Sequence, residues 1–150
     1  MMLRMFCLVL LTAVLGCEPI GPLPGGALDG QLAEIPDGWD EAREIMLFQM
    51  ETRLGDPYSI NLWGVVVEGG LYVASGDGGE ARWVGHLADD PAMRLRMRGK
   101  LYDLRAVRVD EARELDLVRR RYIEKYDIED DPAMDGEFGE EAWVFRLDPR

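Results

Sequence analysis

The sequence contains few of the residues that build many metal and redox sites, because its 150 residues include two cysteines and one histidine. Two cysteines cannot form a disulfide framework and one histidine excludes a histidine-rich zinc site, so we expect no bound metal. Basic residues are also in the minority: 17 Lys and Arg stand against 29 Asp and Glu, a formal net charge of −12. This charge argues against general nucleic-acid binding, which needs a positive surface to displace counterions.

Long hydrophobic runs are also missing from the sequence. The longest nearly apolar run covers residues 5–15. As a helix it would rise about 16 Å, too little for the ~30 Å hydrocarbon core of a bilayer. The composition, with 47% hydrophobic and 31% charged residues, is that of a folded protein. A chain of this length forms one domain that buries roughly 68% of the surface of the unfolded chain.

The apolar run at the N-terminus follows the positive residue Arg4 and has the length of the core of an export signal. It ends at residues 14–17, Val-Leu-Gly-Cys, which resemble the lipobox of bacterial lipoproteins. The resemblance implies that residues 1–16 are a signal peptide and that Cys17 becomes the N-terminus, carrying lipid chains such as palmitate. Such chains anchor a protein to a membrane. We therefore expect a lipoprotein of the bacterial cell envelope with its soluble domain outside the cytoplasm; a signal without lipidation is the alternative.

Residues 17–35 are predicted to be the lipidated cysteine and a flexible tether, because Pro and Gly dominate and no apolar period is visible. The folded domain is predicted over residues 36–150. Its first element is predicted to be a helix that Asp37 caps and Gly55 ends. Apolar residues at three- and four-residue spacing support this helix: Trp39, Ala42, Met46, Met50 and Leu54.

The rest of the domain alternates between strand-like and helical patterns. Hairpins are predicted over residues 60–75 and 93–109, each with a glycine-containing turn. A short helix is predicted over residues 81–88. A second helix follows, with Asp110 as its N-cap and with an apolar stripe of Leu115, Val118, Tyr122 and Tyr126. An acidic loop over 129–141 and a strand over 142–147 come after it. This order favours an α+β fold, a small barrel of mostly antiparallel strands with flanking helices.

The acidic chain has one positive stretch, residues 82–109, with seven basic and three acidic side chains. Alternation with a period of two places Arg94, Arg96 and Arg98 on one face of a strand. Such a face suits a phosphate or carboxylate, because guanidinium groups donate hydrogen bonds in a planar fork. A solvated sheet face paired with Asp and Glu side chains is the alternative.

Three further features of the sequence have the residue types of a binding or catalytic site. The glycines after Ser75 would let backbone N–H groups approach an anion, and a plain turn is the alternative. His86 has no evident Ser or Cys nucleophile near it in the sequence, so we expect a packed or surface histidine rather than a catalytic one. The acidic stretch 127–137 has Pro132 where an EF-hand loop requires Gly, which argues against a calcium site.

Residues 61–109 resemble the split β-barrel of the pyridoxamine-phosphate-oxidase-like proteins, which bind flavins and deazaflavins. The resemblance rests on the strand at 71–75 and on the helical segment at 82–91, which ends in Asp-Pro where the family usually has Asn-Pro. The hairpin at 93–109 and the strand at 143–147 also fit. The resemblance implies a small split β-barrel of mostly antiparallel strands with flanking helices.

The resemblance also implies a ligand site. In the family, the phosphate of FMN or of the deazaflavin F420 is held at the end of the second strand and by basic residues just after it. Carried over, this points to Ser75, Gly76 and Arg82, with Trp83 near the ring or in the core. The family commonly builds its site between two barrels, which implies a homodimer. Two functions are expected: an oxidoreductase-like flavin-type binder, or a non-catalytic envelope lipoprotein whose barrel binds a protein or small-ligand partner.

Overall fold

The structure is a computed structural model, and it describes residues 17–128 and 142–150. Its helices are α1 (Arg82–Asp89) and α2 (Ala112–Tyr126), and short 3-10 turns lie at Asp40–Ala42 and Gly78–Glu80. Its strands are β1 (Gln31–Leu32), β2 (Phe48–Thr52), β3 (Tyr58–Leu62), β4 (Gly64–Val67), β5 (Gly70–Ser75), β6 (Ala92–Met97), β7 (Lys100–Arg108) and β8 (Trp143–Pro149).

The strands form one curled sheet in the order β3-β2-β6-β7-β8-β5-β4. Neighbours on this path are antiparallel, and β1 pairs in parallel with β7 off the path. The two edge strands are consecutive in the chain, since β3 ends at Leu62 and β4 starts at Gly64. A single residue between the edges forces the sheet to curl back on itself. The predicted α+β split barrel is therefore confirmed.

The inner face of the sheet encloses the main core. On β6 the period-two alternation turns Met93, Leu95 and Met97 inward, as the sequence predicted. The buried side of α1 packs onto the same core through Trp83 and Leu87. Burial of these apolar side chains drives the sheet to curl, because a flat sheet would leave them in water.

A second core lies between α2 and the β4 edge of the sheet. The helix contributes Val118 and Tyr122, and the strand contributes Val65 and Val67. The predicted helix stripe is confirmed, but its N-cap is Glu111 and not Asp110. The Glu111 carboxylate accepts hydrogen bonds from the backbone N–H groups of Arg113 and Glu114. These bonds hold the pKa of Glu111 below its ordinary value.

The helix predicted to start at Trp39 and to end before Gly55 is wrong. Only the turn at Asp40–Ala42 is helical, and the chain then forms β2. Met50 pairs with Ile60 on β3 and with Leu95 on β6, so two neighbouring strands satisfy its backbone groups. The three- and four-residue spacing was a coincidence, because sheet pairing overrides a weak local helical preference.

Residues 17–35 lie along the sheet, so the prediction of a flexible tether is wrong for this segment. Gly25 forms an antiparallel bridge with Ser59 on the outer edge of β3. Leu28 is 6% exposed, and its backbone N–H donates to the carboxylate of buried Glu51 at 2.5 Å. Gly25 and Gly30 allow this extended segment to fit closely, because a residue without a side chain lets one backbone approach another.

Two predicted segments lie outside the described residues: the signal peptide at 1–16 and the acidic loop at 129–141. The short helix and the hairpin at 93–109 are confirmed, and the predicted first hairpin consists of three strands, β3, β4 and β5. Within residues 17–128 and 142–150, no helix is long and apolar enough to cross a membrane.

Candidate ligand-binding cleft at the split of the barrel

A cleft of about 500 Å³ opens at the split of the barrel, where β3 passes into β4. One wall is the β3–β4 junction from Ile60 to Trp63. A second is the end of β5 together with the start of α1, and a third is Gly21 and Pro22 of the N-terminal segment. Small-molecule sites typically enclose about 300–1,000 Å³, so the cleft is large enough for a ligand.

Two tryptophan side chains on different walls of the cleft are held in place by aromatic neighbours. Trp63 stacks on Tyr126, with ring centroids 4.3 Å apart and planes 7° from parallel. Trp83 meets Phe145 edge to face at 5.4 Å. The Tyr122 hydroxyl, which also borders the cleft, donates to the backbone oxygen of Trp63 at 3.0 Å. Because such contacts restrict ring motion, the cleft presents fixed aromatic surfaces.

The polar wall of the cleft is the segment that leaves β5. Ser75 is the last residue of the strand and is 4% exposed, and Gly76 and Asp77 follow it along the wall. Asp77 is exposed and is the one charged residue among the described residues that line the cleft. Ser75 and Gly76 therefore offer polar groups to a ligand, and Asp77 adds negative charge beside them.

The N-terminal wall was not foreseen from the sequence. Asn61 on β3 donates from its side-chain nitrogen to the backbone oxygens of Pro19 and Gly21, both at 3.2 Å. These bonds hold Gly21 and Pro22 against the cleft. No local pattern indicates this contact, because about forty residues separate its partners and the composition of the segment is that of a linker.

The structure brings together three of the four residues that the resemblance pointed to. Ser75, Gly76 and Trp83 line the cleft. Arg82 does not line it, because its guanidinium lies over the ring of Tyr58, 5.1 Å from the centroid. Neighbouring positions on a helix point in different directions, so Trp83 faces the cleft while Arg82 faces outward.

The arginine face predicted on β6 is paired with acids and amides. Arg94 donates to Asp103 at 2.8 Å, and its guanidinium lies 3.6 Å from the Glu51 carboxylate. Arg96 contacts the carboxylate of Glu18 and donates to Gln49 at 3.0 Å. Arg98 lies beyond the strand, in the turn to β7. The alternative interpretation, a sheet face paired with nearby acceptors, describes Arg94 and Arg96.

The β3–β4 junction is held by a lysine that sequence reasoning missed. The Lys125 ammonium on α2 donates to the backbone oxygens of Ile45 at 2.5 Å and Gly64 at 2.7 Å. The Tyr126 hydroxyl bonds to Gly64 as well. Burial lowers the pKa of Lys125 to about 8 and raises the pKa of Tyr126 to about 12. These side chains fix the position of the neighbouring Trp63 wall.

A sheet split between two chain-adjacent edge strands, with a cleft at the split, defines the protein as a split β-barrel protein. Residues 39–144 match the family described as "Uncharacterized protein conserved in bacteria (DUF2255)", and the chain belongs to this family. No curated protein matches the chain in sequence.

Several solved structures share the fold. The heme storage protein HutZ of Vibrio cholerae is 21% identical, with a TM-score of 0.56, and the match covers 73% of this chain and 86% of HutZ. A pyridoxamine 5'-phosphate-oxidase-like protein of Listeria innocua is 12% identical, with a TM-score of 0.52, and the match covers 70% of this chain and 84% of that protein. An F420 reductase is 14% identical, with a TM-score of 0.51, and the match covers 77% of this chain and 96% of the reductase. These likenesses confirm the fold class that the sequence resemblance predicted.

Proposed function

We propose that the protein is a membrane-anchored envelope lipoprotein whose split barrel binds a flavin-type cofactor, FMN or deazaflavin F420, and is oxidoreductase-like. The observation that carries the proposal is the cleft at the split, where Trp63 and Trp83 present fixed aromatic surfaces. Flat conjugated rings pack well against such surfaces. When bound, the cofactor would supply the electron- or hydride-transfer chemistry.

The polar wall of the cleft is where we propose that the phosphate of such a cofactor binds. The Ser75 hydroxyl and the backbone at Gly76 are the polar groups at the end of β5, as the resemblance implied. Arg82 would supply positive charge to this place only after leaving the Tyr58 ring. Asp77 opposes a phosphate, because like charges repel most strongly at short range.

We favour a flavin over heme, the molecule that the similar protein HutZ stores. Heme iron is usually held by a His, Cys, Met or Tyr side chain. Among the described residues that line the cleft there is no His, Cys or Met. Tyr122 does line it, but its hydroxyl already donates to the backbone oxygen of Trp63.

One observation favours the second candidate, a non-catalytic envelope lipoprotein that binds a protein or small-ligand partner. No basic side chain is among the described residues that line the cleft. Exposed Ile20 and Leu23 flank the Gly21–Pro22 wall, and exposed Leu47 lines the cleft itself. A neutral apolar ligand would meet less electrostatic opposition there than an anionic cofactor.

The two candidates differ in cofactor uptake. We expect the full chain, purified in a non-ionic detergent, to quench the fluorescence of added FMN or F420 in a saturable manner. Absorption and mass spectra of protein purified from its own envelope would show the same cofactor. Well-folded protein that takes up neither compound would contradict the flavin proposal and favour the non-catalytic candidate.

The substitution Asp77→Asn tests where the phosphate lies. If it lies at the end of β5, removing the negative charge tightens FMN binding about fivefold, the effect of roughly 1 kcal/mol of repulsion. Binding of riboflavin, which has no phosphate, should not change. Asp110→Asn, an exposed substitution before α2, is the matched control. Equal FMN affinity in wild type and Asp77→Asn would place the phosphate elsewhere.

A further inference from the structure

A second group of polar side chains lies around Tyr58, at the start of β3, and shares no residue with the lining of the cleft. The Arg82 guanidinium covers the Tyr58 ring, and the His86 ring meets the same ring edge to face with centroids 4.9 Å apart. Thr52, at the end of β2, bonds through its hydroxyl to His86 Nδ1 at 2.9 Å. Residues from β2, β3 and α1 therefore converge at one place.

Arg53 adds a second guanidinium to this group. Its Nε is buried and has no hydrogen-bond partner among the described residues, although its side chain as a whole is 38% exposed. One terminal nitrogen lies 3.3 Å from the carboxylate of Asp56, which is well exposed. A buried donor without an acceptor is costly in a folded protein. Because Nε is itself closed to solvent, it is the partly exposed remainder of the Arg53 side chain that can meet an outside group.

The hydrogen bonds of Thr52 indicate the state of His86. The Thr52 hydroxyl donates to the backbone oxygen of Tyr58 at 3.3 Å, so it serves as the acceptor for a proton on Nδ1. This leaves Nε2 for an outside group. Burial lowers the pKa of His86, and the positive charges of Arg53 and Arg82 lower it further. The acids Asp89 and Asp56 act in the opposite direction.

We propose that Arg53, Arg82 and His86 form a binding site for the oxyanion group of a small molecule: a carboxylate, phosphate or sulfate. Two guanidinium groups supply planar donors, and the imidazole supplies a third donor when it is protonated. The site stands out electrostatically, because the chain as a whole carries a net charge of −12. None of its three residues lines the cleft, and Arg82 would take part in holding a cofactor phosphate there only by leaving the Tyr58 ring.

The proposal has a definite pH dependence. A bound oxyanion stabilises the protonated imidazole, so binding raises the pKa of His86 towards or above its ordinary value. Affinity for the anion therefore increases as the pH falls through the pKa of His86. The same groups that face His86 in the free protein, Arg53, Arg82, Asp56 and Asp89, are present in both states, so the shift reports the anion itself.

Sulfate is the probe of choice, because it keeps its charge between about pH 5 and pH 8. The full chain in a non-ionic detergent is titrated with sulfate at constant ionic strength and followed by calorimetry and by NMR of the His86 ring. His86 is the one histidine of the chain, so its signal is unambiguous. We expect saturable binding, a higher pKa of His86 in sulfate and weaker binding as the pH rises.

Charge-neutralising variants separate the site from general screening. We expect Arg82→Gln and Arg53→Gln each to weaken sulfate binding about tenfold, the effect of losing one charge-assisted hydrogen bond. Arg120→Gln removes the same charge from a distant, exposed position on α2 and should change nothing. Arg82 is exposed, so its variant should fold even if Arg53→Gln does not.

Three results would overturn the proposal. They are sulfate effects that do not saturate, an unchanged pKa of His86 in sulfate, and equal binding by wild type and a folded Arg82→Gln variant. If sulfate binds, parallel titrations with acetate, inorganic phosphate and phenyl phosphate identify the preferred oxyanion. Flavin uptake by the wild type and by Arg53→Gln, measured in the same preparation, shows separately whether the cleft functions, because Arg53 does not line it.

Discussion

Lys125 is the residue on which the split of the barrel depends most directly. Its ammonium binds the Gly64 oxygen at the start of β4 and the Ile45 oxygen ahead of β2, so it ties the segment before β2 to the edge strand β4. It also lies 5.3 Å from the centroid of the Phe48 ring in the core. Burial disfavours its charged form and gives it a pKa of about 8. The deprotonated amine still has two N–H groups, enough for both carbonyls.

This lowered pKa predicts a rise in stability with pH. Lys125 has a pKa of about 8 in the folded state against an ordinary value of 10.5, so above pH 8 the unfolded chain binds more protons than the folded one. The free energy of unfolding should therefore increase between pH 8 and pH 10. Above pH 10 the buried hydroxyls of Tyr72 and Tyr126, with pKa values of about 12, act in the opposite direction. Urea unfolding at a series of pH values measures this slope.

Variants of the two lysines show whether Lys125 causes this dependence of stability on pH. Lys125→Met should remove the rise in stability, and Lys100→Met, which changes the other lysine at an exposed position at the start of β7, should keep it. A slope that persists in Lys125→Met would mean that another group titrates in this range.

At the scale of elements, the N-terminal segment behaves as an added strand and not as a linker. β1 pairs with β7, and Gly25 bridges to β3. Asn61 bonds to the backbone oxygens of Pro19 and Gly21 and so holds the start of the segment beside the cleft. A Cβ atom at Gly25 would lie 2.3 Å from the Cys17 oxygen, so a larger residue would not fit without displacing backbone. The segment thus covers the outer edge of β3, which would otherwise be open to pairing with another chain.

Glu51 anchors this segment, and removing its carboxylate should release it. Glu51 is 1% exposed and accepts the backbone N–H of Leu28. We expect Glu51→Ala to lower the free energy of unfolding by about 2 kcal/mol, within the range for a lost hydrogen bond to a charged group. Hydrogen exchange should show that amides in residues 17–35 exchange faster while those of β6 and β7 change less.

Glu41→Ala, an exposed substitution in the turn at Asp40–Ala42, controls for the loss of a negative charge. A Glu51→Ala variant with wild-type protection in residues 17–35 would show that the carboxylate does not anchor the segment.

At the scale of the whole molecule, the proposed anchor and the cleft lie on the same segment. Cys17 accepts a backbone hydrogen bond from Gly26 through its oxygen, and its side chain is exposed. Gly21 and Pro22, a few residues later, form one wall of the cleft. A lipid on Cys17 would therefore hold the cleft close to the membrane and would not let the barrel move freely on a long leash.

The proposed lipid anchor predicts that the protein is found in the membrane fraction and has a defined mass. Wild-type protein expressed in a bacterium should lose residues 1–16, gain the mass of its acyl chains and sediment with the membranes. Cys17→Ala should abolish both acylation and this processing, while Cys17→Ser tests whether the thiol itself is required. Intact-mass spectrometry and membrane fractionation measure these outcomes. An unprocessed, unacylated wild-type chain in the cytosol would contradict the proposed localisation.

Local sequence patterns predicted the structure correctly where the residues of one short segment determine its conformation. The alternation at Met93, Leu95 and Met97 indicated β6 correctly, because a period of two has one inward face whatever surrounds it. The stripe of α2 was equally direct, since Val118 and Tyr122 share a helix face. The family resemblance pointed to Ser75 and Gly76, which the fold places in the lining of the cleft. The sequence by itself thus determined the fold class and one wall of the site.

Tertiary structure decided the features that depend on partners far apart in the chain. The apolar spacing from Trp39 to Met50 is compatible with a helix, and only pairing of Met50 with Ile60 and Leu95 makes β2 a strand. Arg82 and Trp83 are adjacent in sequence yet face different sites, because α1 is a helix packed on one side. The N-terminal wall, the Lys125 bonds and the group around Tyr58 have the same origin: their energies come from contacts that exist only once the sheet has curled.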